Sequence, residues 1–228
     1  MFTLYSADFT GNPGNCSYPH KTVVMNTDNL REAVCHDYVC AEYKNHYRNG
    51  ENFISADCLP VDCDNDHSED PKDWVTPADV LEAFPGVSIA IHYSRFNNRE
   101  KNGKPARPKF HVLFPIDRMT DATLYSDMKK LVNSIFPYFD TKALDAARFF
   151  FGTQEPNVEL YPGRMNLTEF LNDDEFDAGL PGGHKKDAVI PEGSRNAVMS
   201  RFAGIVIKKY GKKKKAYQSF LEKAATCV

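Results

Sequence analysis

The sequence predicts an α+β fold, because strand patterns and capped helices are interspersed along residues 1–171. Residues 54–63, 88–93 and 110–114 are apolar, or alternate apolar with polar side chains, which is the pattern of buried and half-buried strands. Beside these strands, threonines precede apolar residues at helical spacing, which indicates helix starts. The predicted helix starts are at Thr27, Thr76 and Thr120.

The first predicted helix extends past residue 40, because apolar side chains keep to one helical face up to that point. These side chains are Leu30, Ala33, Val34, Tyr38 and Ala41. The second predicted helix is short, with Pro77 in its first turn, Asp79 at the capping-box position and Pro85 just beyond its end. Residues 95–107 are polar and basic and predict a loop.

An acidic and then Gly/Pro-rich stretch, residues 172–193, has the composition of a linker. It separates a predicted body, residues 1–171, from a small helical appendage, residues 194–228. Residues 184–228 contain eleven Lys or Arg and three Asp or Glu, a surplus of eight positive charges on a chain of net charge −3. A basic tail on an acidic body indicates contact with nucleic acid, and a solvated lysine-rich helix is the alternative.

The sequence contains no pattern typical of a membrane span or of a secretory signal. No apolar run approaches the roughly 20 residues that cross a bilayer, and the N-terminus lacks the pattern of a signal peptide. We therefore expect a cytoplasmic protein without a membrane partner. The six cysteines contain no CxxC pair and predict reduced thiols, with a zinc site built from Cys and His residues as the alternative. They are Cys16, Cys35, Cys40, Cys58, Cys63 and Cys227.

The most informative segment is the apolar strand that ends in Asp62-Cys63-Asp64. Strand side chains alternate, so Asp62 and Asp64 point to the same side. Two such carboxylates repel each other unless a cation lies between them, which predicts a hard-metal site. Two alternatives are a polar loop whose aspartates cap backbone groups and a calcium loop. The calcium loop is disfavoured because His67 stands where an EF-hand requires Gly.

The strand at 110–114 brings cations to the same neighbourhood. Phe110 faces the core, so Lys109 and His111 share the opposite face. Carboxylates that hold metal ions beside cations that hold phosphates are what a nucleoside triphosphate needs. A solvated basic loop is the alternative. The further cations of this region are Arg95, Arg99, Lys101, Lys104 and Arg107.

A third segment, residues 144–152, has a charged pair at the entrance of an aromatic run. Asp145 and Arg148 are three residues apart, so a surface pair on a helical turn explains them as well. The bulky run Phe149, Phe150, Phe151 marks a buried element.

The three segments LPVDCD, KFHVLFP and LDAARFFFG, in this order, resemble the motifs of the archaeo-eukaryotic primase superfamily. The resemblance covers about residues 50–165 and is closest to primase-polymerases of phages, plasmids and other mobile elements. It implies an RRM-like core with an antiparallel or mixed sheet, followed by a small helical domain. Lys109 departs from the family pattern, which usually has a small residue there.

The resemblance also implies roles for individual residues. Asp62, Asp64 and Asp145 would be catalytic and would bind Mg²⁺ or Mn²⁺ in a two-metal site. His111 and Arg148 would contact the triphosphate of the incoming nucleotide. Three further residues complete the predicted nucleotide-binding set: Lys109, Arg107 and Ser94.

The implied activity is template-directed nucleotidyl transfer from NTPs or dNTPs, as a DNA primase or polymerase in the replication of a mobile element or phage. The implied partners are single-stranded DNA template, primer and nucleoside triphosphates. A helicase in cis or in trans is a further implied partner, and the appendage would then be truncated at Val228. Two alternatives are a metal-dependent nuclease using the same acidic cluster and a non-catalytic DNA-binding replication-initiation module.

Overall fold

The computed structural model describes residues 1–101 and 103–171, so the predicted linker and helical appendage lie outside the described residues. Strands and helices are mixed along this part of the chain, which confirms the predicted α+β class. The strands are β1 (Phe2–Ser6), β2 (His20–Val24), β3 (Tyr38–Val39), β4 (Glu42–Tyr43), β5 (Phe53–Cys63), β6 (Ile89–Tyr93), β7 (Arg99–Lys101), β8 (Lys104–Arg107), β9 (Phe110–Met119), β10 (Phe149–Phe150) and β11 (Val158–Tyr161). The helices are α1 (Thr27–Val34), α2 (Pro77–Ala83), α3 (Ala122–Ile135) and α4 (Leu167–Leu171).

Two sheets and a hairpin organise these strands. One sheet has five strands in the order β11-β6-β9-β5-β4, and the other has four strands in the order β10-β3-β1-β2. The hairpin β7-β8 occupies most of the segment that the sequence predicted as a loop. Every pair of named strands is antiparallel, so the mixed alternative is not observed.

The two faces of the five-stranded sheet pack against different layers. On β5, Leu59, Val61 and Cys63 join the core that α2, α3 and α4 cover. Cys58 has the opposite parity and packs in the core shared with α1 and the four-stranded sheet. Asp62 has the parity of Cys58, so strand alternation turns it away from the helices and toward the four-stranded sheet.

The helix starts are shifted by one residue from two of the predicted caps. Asn26, and not Thr27, caps α1, because its side chain accepts a hydrogen bond from the Asn29 backbone N–H. Asp121, and not Thr120, caps α3 in the same way. The capping box of Thr76 and Asp79 at the start of α2 is confirmed.

The prediction that the first helix continues past residue 40 is wrong. Helix α1 ends at Val34, and Tyr38 and Val39 form β3 instead. The buried carboxylate of Asp37 explains the change, since it accepts backbone hydrogen bonds from Gly11, Asn12 and Gly152. These bonds to two distant segments outweigh the helical pattern of the local sequence.

The cysteines of the described region are free thiols, and three of them are buried, as predicted. Within residues 1–101 and 103–171, cysteines and histidines do not form a group of three metal ligands, so the alternative of a zinc site is not observed there. In the same residues no helix has the length and the apolar character that a membrane span requires.

Candidate metal and nucleotide site

The candidate site begins with a row of side chains across the centre of the five-stranded sheet. Asp62 on β5 lies opposite His111 on β9, and His111 lies opposite His92 on β6. Directly paired residues point to the same face of a sheet. The three side chains therefore face the four-stranded sheet together.

Three carboxylates meet at the end of β5. Ligand oxygens of Asp62, Asp64 and Asp140 all lie within 4.8 Å of one another. Asp140 reaches this point because its backbone N–H donates to the Asp62 carbonyl oxygen over 2.7 Å, which fastens the segment after α3 to the end of β5. The structure thus places Asp62 and Asp64 together, as strand alternation predicted.

Asp145 does not belong to this group, and Asp140 takes the place predicted for it. A 3-10 turn over Thr141–Ala143 separates the two aspartates and redirects the chain. The exposed Asp145 carboxylate accepts a hydrogen bond from the Ala147 backbone N–H over 2.9 Å. Asp145 therefore caps its own turn and does not face Asp62.

Asp62 is the most buried of the three carboxylates, with 9% of the residue exposed. Its Oδ1 atom is buried and has no hydrogen-bond partner. Burial, together with the negative charges of Asp64 and Asp140, raises the pKa of Asp62 to about 7. A buried carboxylate oxygen without a partner, beside two more carboxylates, fits the ligand set of a hard divalent cation.

Two cationic side chains border the carboxylates. The Nζ atom of Lys109 is 3.1 Å from Asp64 Oδ1, and the lysine is only 4% exposed. Arg148 is half-buried, its Nε atom has no hydrogen-bond partner, and its charge lowers the pKa of Asp62. The structure therefore brings both of these cations beside the carboxylates.

His111 connects the acidic cluster to a buried polar relay. Its Nε2 atom is 3.8 Å from Asp62 Oδ1, and its Nδ1 atom is 3.0 Å from the hydroxyl of Tyr38. That hydroxyl is also 3.1 Å from Nδ1 of His92, whose Nε2 is 3.1 Å from the hydroxyl of Thr153. Burial lowers the pKa of His111 to about 4 and the pKa of His92 well below its ordinary value, so both rings are neutral at pH 7.

Neutral rings restrict how the protons of the relay can be arranged. When Asp62 is ionised, its oxygen repels a lone pair on Nε2 of His111, so that nitrogen carries the proton. Nδ1 of His111 then accepts from the Tyr38 hydroxyl, which accepts in turn from Nδ1–H of His92. Thr153 donates to Nε2 of His92 and completes the pattern. With Asp62 ionised, this pattern makes His111 an N–H donor that points into the acidic cluster.

Two other predicted nucleotide-binding residues have structural partners. Arg107 is fully buried and donates to the carbonyl oxygens of Asn65 and Ser68 and to Glu69. It holds the loop after β5 together and does not present a free guanidinium. Ser94 forms a turn, in which its hydroxyl accepts from the Phe96 backbone N–H.

The sequence reasoning missed Asp140, Tyr38, His92 and Thr153. Asp140 has a local signal, since it also follows an apolar residue, Phe139. His92 lies on a predicted strand, but only the register of β6 against β9 brings it beside His111.

Comparisons with known proteins add little to this geometry. No family model matches the chain, and no curated protein matches it. Among solved structures, the AEP domain of the cyanophage S-2L primase-polymerase (PrimPol) is similar, with a TM-score of 0.40 and 13% sequence identity. The similarity covers 71% of this chain and 81% of that chain. These values are too low to assign a common fold.

Proposed function

We propose that the chain is a metal-dependent nucleotidyltransferase of the primase-polymerase kind, with residues 1–171 as its catalytic domain. The observation that carries the proposal is the buried, unpartnered oxygen of Asp62 within a group of three carboxylates. A cluster of this composition costs free energy unless a cation neutralises it. Cationic and N–H-donating side chains lie on the same side, and they add groups that would bind phosphate next to the metal ligands.

Asp62, Asp64 and Asp140 are the residues that would hold Mg²⁺ or Mn²⁺. Carboxylate oxygens are the ligands that these hard cations prefer. Bound ions at such a cluster neutralise charge on the attacking and leaving oxygens of a phosphoryl transfer. Asp145 is not part of this set.

His111, Lys109 and Arg148 would bind the triphosphate. The neutral His111 ring donates its Nε2–H to a phosphate oxygen, which adds orientation without a formal charge. Lys109 and Arg148 supply positive charge, and a guanidinium can bind two phosphate oxygens at once. This combination favours a triphosphate substrate, since cleavage of a phosphodiester by a nuclease does not need it.

The reaction proposed is attack of a primer 3′-hydroxyl on the α-phosphorus of an NTP or dNTP. A new phosphodiester bond forms, the bond from the α-phosphorus to the bridging oxygen breaks, and pyrophosphate leaves. The template would be single-stranded DNA, and the biological setting would be replication of a mobile element or phage.

A primer-synthesis and primer-extension assay with Mg²⁺ or Mn²⁺ tests the proposal. We expect labelled nucleotide to enter product with the wild type, and at least about a 100-fold loss in the Asp62→Asn/Asp64→Asn variant. The exposed Asp127, which pairs with Lys130 on α3, gives a matched control, and Asp127→Asn should retain activity.

Absence of incorporation with both metals, from folded full-length protein, would overturn the proposal. Metal-dependent degradation of the labelled DNA would instead favour the nuclease alternative. In that case His111→Ala should leave cleavage nearly unchanged, whereas a polymerase should lose nucleotide binding.

A further inference from the structure

A row of alternating cationic and aromatic side chains lies beside the site. We name it the cation–aromatic row, and its members in spatial order are Lys101, Phe96, Arg95, Phe151, Phe149 and Arg48. The Lys101 ammonium lies 4.5 Å from the Phe96 ring centroid, and the Arg95 guanidinium lies 5.2 Å from the same ring. The Arg95 guanidinium is also 4.1 Å from the Phe151 ring centroid.

The row continues through β10. The Phe151 and Phe149 ring centroids are 5.0 Å apart, and the Arg48 guanidinium is 4.8 Å from the Phe149 ring centroid. All six members are half-buried or exposed. Together they present three cations and three rings from three separate segments of the chain.

Strand alternation connects the row to the candidate site. Phe150 points inward, with its ring centroid 4.7 Å from that of His111. Its neighbours Phe149 and Phe151 point to the other side and belong to the row. At the other end, the segment of Arg95 and Phe96 follows Ser94, whose backbone N–H donates to the carbonyl oxygen of Lys109. The row is therefore fastened beside Lys109, which precedes β9, and beside Arg148, which precedes β10.

The cations of the row lack acidic partners. Within the part of the chain that the structure describes, Arg48, Arg95 and Lys101 form no ion pair with a carboxylate. Other surface cations do form such pairs, as Arg31 does with Asp28 and Lys130 with Asp127. Three positive charges without acidic partners in one row attract a polyanion, and the half-buried rings beside them offer faces on which bases stack.

We infer that the cation–aromatic row binds a single strand of nucleic acid and leads it to the acidic cluster, an inference that rests on the proposed function. The bases stack on Phe96, Phe149 and Phe151. The phosphates contact Arg95 and Lys101, while Arg48 adds positive charge from a guanidinium that donates to the carbonyl oxygens of Ala147 and Asn15. A duplex fits this surface poorly, because its base faces are already stacked on one another.

The test measures strand binding by fluorescence anisotropy with full-length protein in EDTA, so that chemistry at the metal site cannot contribute. Labelled oligothymidylate, oligouridylate and a DNA duplex of equal length are the probes. We expect binding of single strands to exceed binding of the duplex, and the two single-stranded probes report whether DNA or RNA is preferred. Phe151→Leu retains an apolar side chain but removes the ring, and it should weaken binding by about 5-fold or more.

Charge variants give a second, independent readout. Arg95→Ala should weaken binding and reduce the slope of log K against log salt by about 0.7, the value expected for one lost phosphate contact with a single strand. Lys21 is the matched control, because it lies over the Tyr5 ring at a 5.9 Å distance, on the sheet edge opposite β10. Lys21→Ala should bind like the wild type. Ultraviolet crosslinks to oligothymidylate should map to peptides containing residues 95–96 or 149–151.

Unchanged affinity and salt slope in folded Phe151→Leu and Arg95→Ala, or crosslinks confined to other peptides, would overturn the inference. Asp62→Asn/Asp64→Asn should retain strand binding, which separates the two proposals. If incorporation fails in all conditions while the row variants lose binding, the proposed function is wrong and the binding surface remains. If incorporation succeeds and the row variants bind normally, the proposed function stands and the assignment of the row as the binding surface is wrong.

Discussion

At the scale of single residues, the buried carboxylate of Asp62 lowers the stability of the metal-free protein once it is ionised. Burial and two neighbouring carboxylates raise its pKa from 3.8 to about 7. Between these pH values the folded state binds more protons than the unfolded state, so stability falls as pH rises through that window. Above pH 7 the charged form costs up to about 4 kcal/mol, since one pKa unit corresponds to about 1.4 kcal/mol.

We therefore predict that Asp62→Asn stabilises the metal-free protein at pH 8. The asparagine carries no charge to repel Asp64 and Asp140, so the free energy of unfolding should rise by about 1–4 kcal/mol. The gain should disappear toward pH 4, where Asp62 is protonated. Urea unfolding in EDTA at pH 4 and pH 8 measures both values.

Manganese provides the control for this prediction. Mn²⁺ should stabilise the wild type against urea at pH 8, because a ligand that binds the folded state adds stability. It should have little effect on Asp62→Asn, which lacks one of the three carboxylates. A variant that is less stable than the wild type at pH 8 without metal would contradict the burial cost assigned to Asp62.

Tyr38 acts on the site through His111. Its hydroxyl orients the ring so that Nε2–H points at the acidic cluster. Tyr38→Phe retains the ring that stacks on Phe150 but removes the hydroxyl. We predict that the KM for nucleotide rises about 2- to 10-fold, the value of one hydrogen bond, with smaller changes in kcat. Steady-state incorporation kinetics measure both constants.

Tyr161 gives the matched control for this substitution. Its hydroxyl donates to Glu159 at the edge of the five-stranded sheet, away from the acidic cluster. Tyr161→Phe should leave the KM for nucleotide unchanged. Equal KM values in Tyr38→Phe and the wild type would exclude the proton pattern assigned to the relay.

At the scale of elements, three side chains hold the backbone of the segment from Asp140 to Arg148 in place by hydrogen bonds. Its consecutive carbonyl oxygens at Asp145, Ala146 and Ala147 accept hydrogen bonds from three different parts of the chain. The donors are Lys129 Nζ, the Tyr43 hydroxyl and Arg48 Nη1. These bonds keep Arg148 facing the site although the segment has little regular structure.

We predict that Lys129→Met separates activity from stability. The buried ammonium has its pKa lowered to about 8 by burial, so its loss removes a charge cost as well as a hydrogen bond. The free energy of unfolding at pH 7 should stay within about 2 kcal/mol of wild type. Nucleotide incorporation should fall about 10-fold or more, because small displacements of catalytic groups are costly.

The pH dependence of unfolding provides a second measurement on Lys129. The unfolded state binds more protons than the folded state between about pH 8 and pH 10.5, so wild-type stability should gain from this group as pH rises through that window. Lys129→Met should lack this gain. Full incorporation by a folded Lys129→Met protein would show that the hydrogen bond from Lys129 to the Asp145 carbonyl oxygen does not position Arg148.

The elements also show which parts of the fold and the site sequence patterns can predict. The strands β5, β6 and β9 were predictable because their side chains are apolar or alternate between apolar and polar, and alternation on β5 placed Asp62 beside Asp64. Asp140 was not predictable in this way. Both Phe139-Asp140 and Leu144-Asp145 fit an apolar residue followed by Asp, and only the backbone bond from Asp140 to Asp62 distinguishes them.

Other parts of the fold depend on contacts that no local pattern records. The four-stranded sheet joins β10 to β3, although more than a hundred residues separate them in the chain. Apolar residues at helical spacing predicted a helix where β3 forms, because Tyr38 is apolar enough for either structure. Its position is set by the histidines and by Phe150, which belong to other elements.

At the scale of the whole molecule, the described residues contain two hydrophobic clusters, while positive charge is concentrated beyond residue 171. Among the described residues, the two hydrophobic clusters draw buried side chains from Phe2 to Phe170. Residues 184–228 carry the surplus of eight positive charges. Folding is expected to depend on residues 1–171, whereas nucleic-acid affinity is expected to depend on the basic residues 184–228 as well as on the cation–aromatic row.

We predict that a chain of residues 1–171 folds and binds metal but holds DNA more weakly than the full chain. Loss of the eleven cationic side chains beyond residue 171 removes phosphate contacts, and each lost contact with a single strand reduces the salt slope by about 0.7. Circular dichroism and Mn²⁺ titration test the fold and the site, and anisotropy with oligothymidylate at several salt concentrations measures the slope.

Replacing Lys212–Lys215 with glutamine in the full chain is the matched charge variant, and it should lose part of the affinity without any change in chain length. Equal affinity and equal salt slope for the short and full chains would show that the lysine-rich tail is only a solvated segment. Weaker DNA binding with an unchanged slope would show that its contribution is not electrostatic.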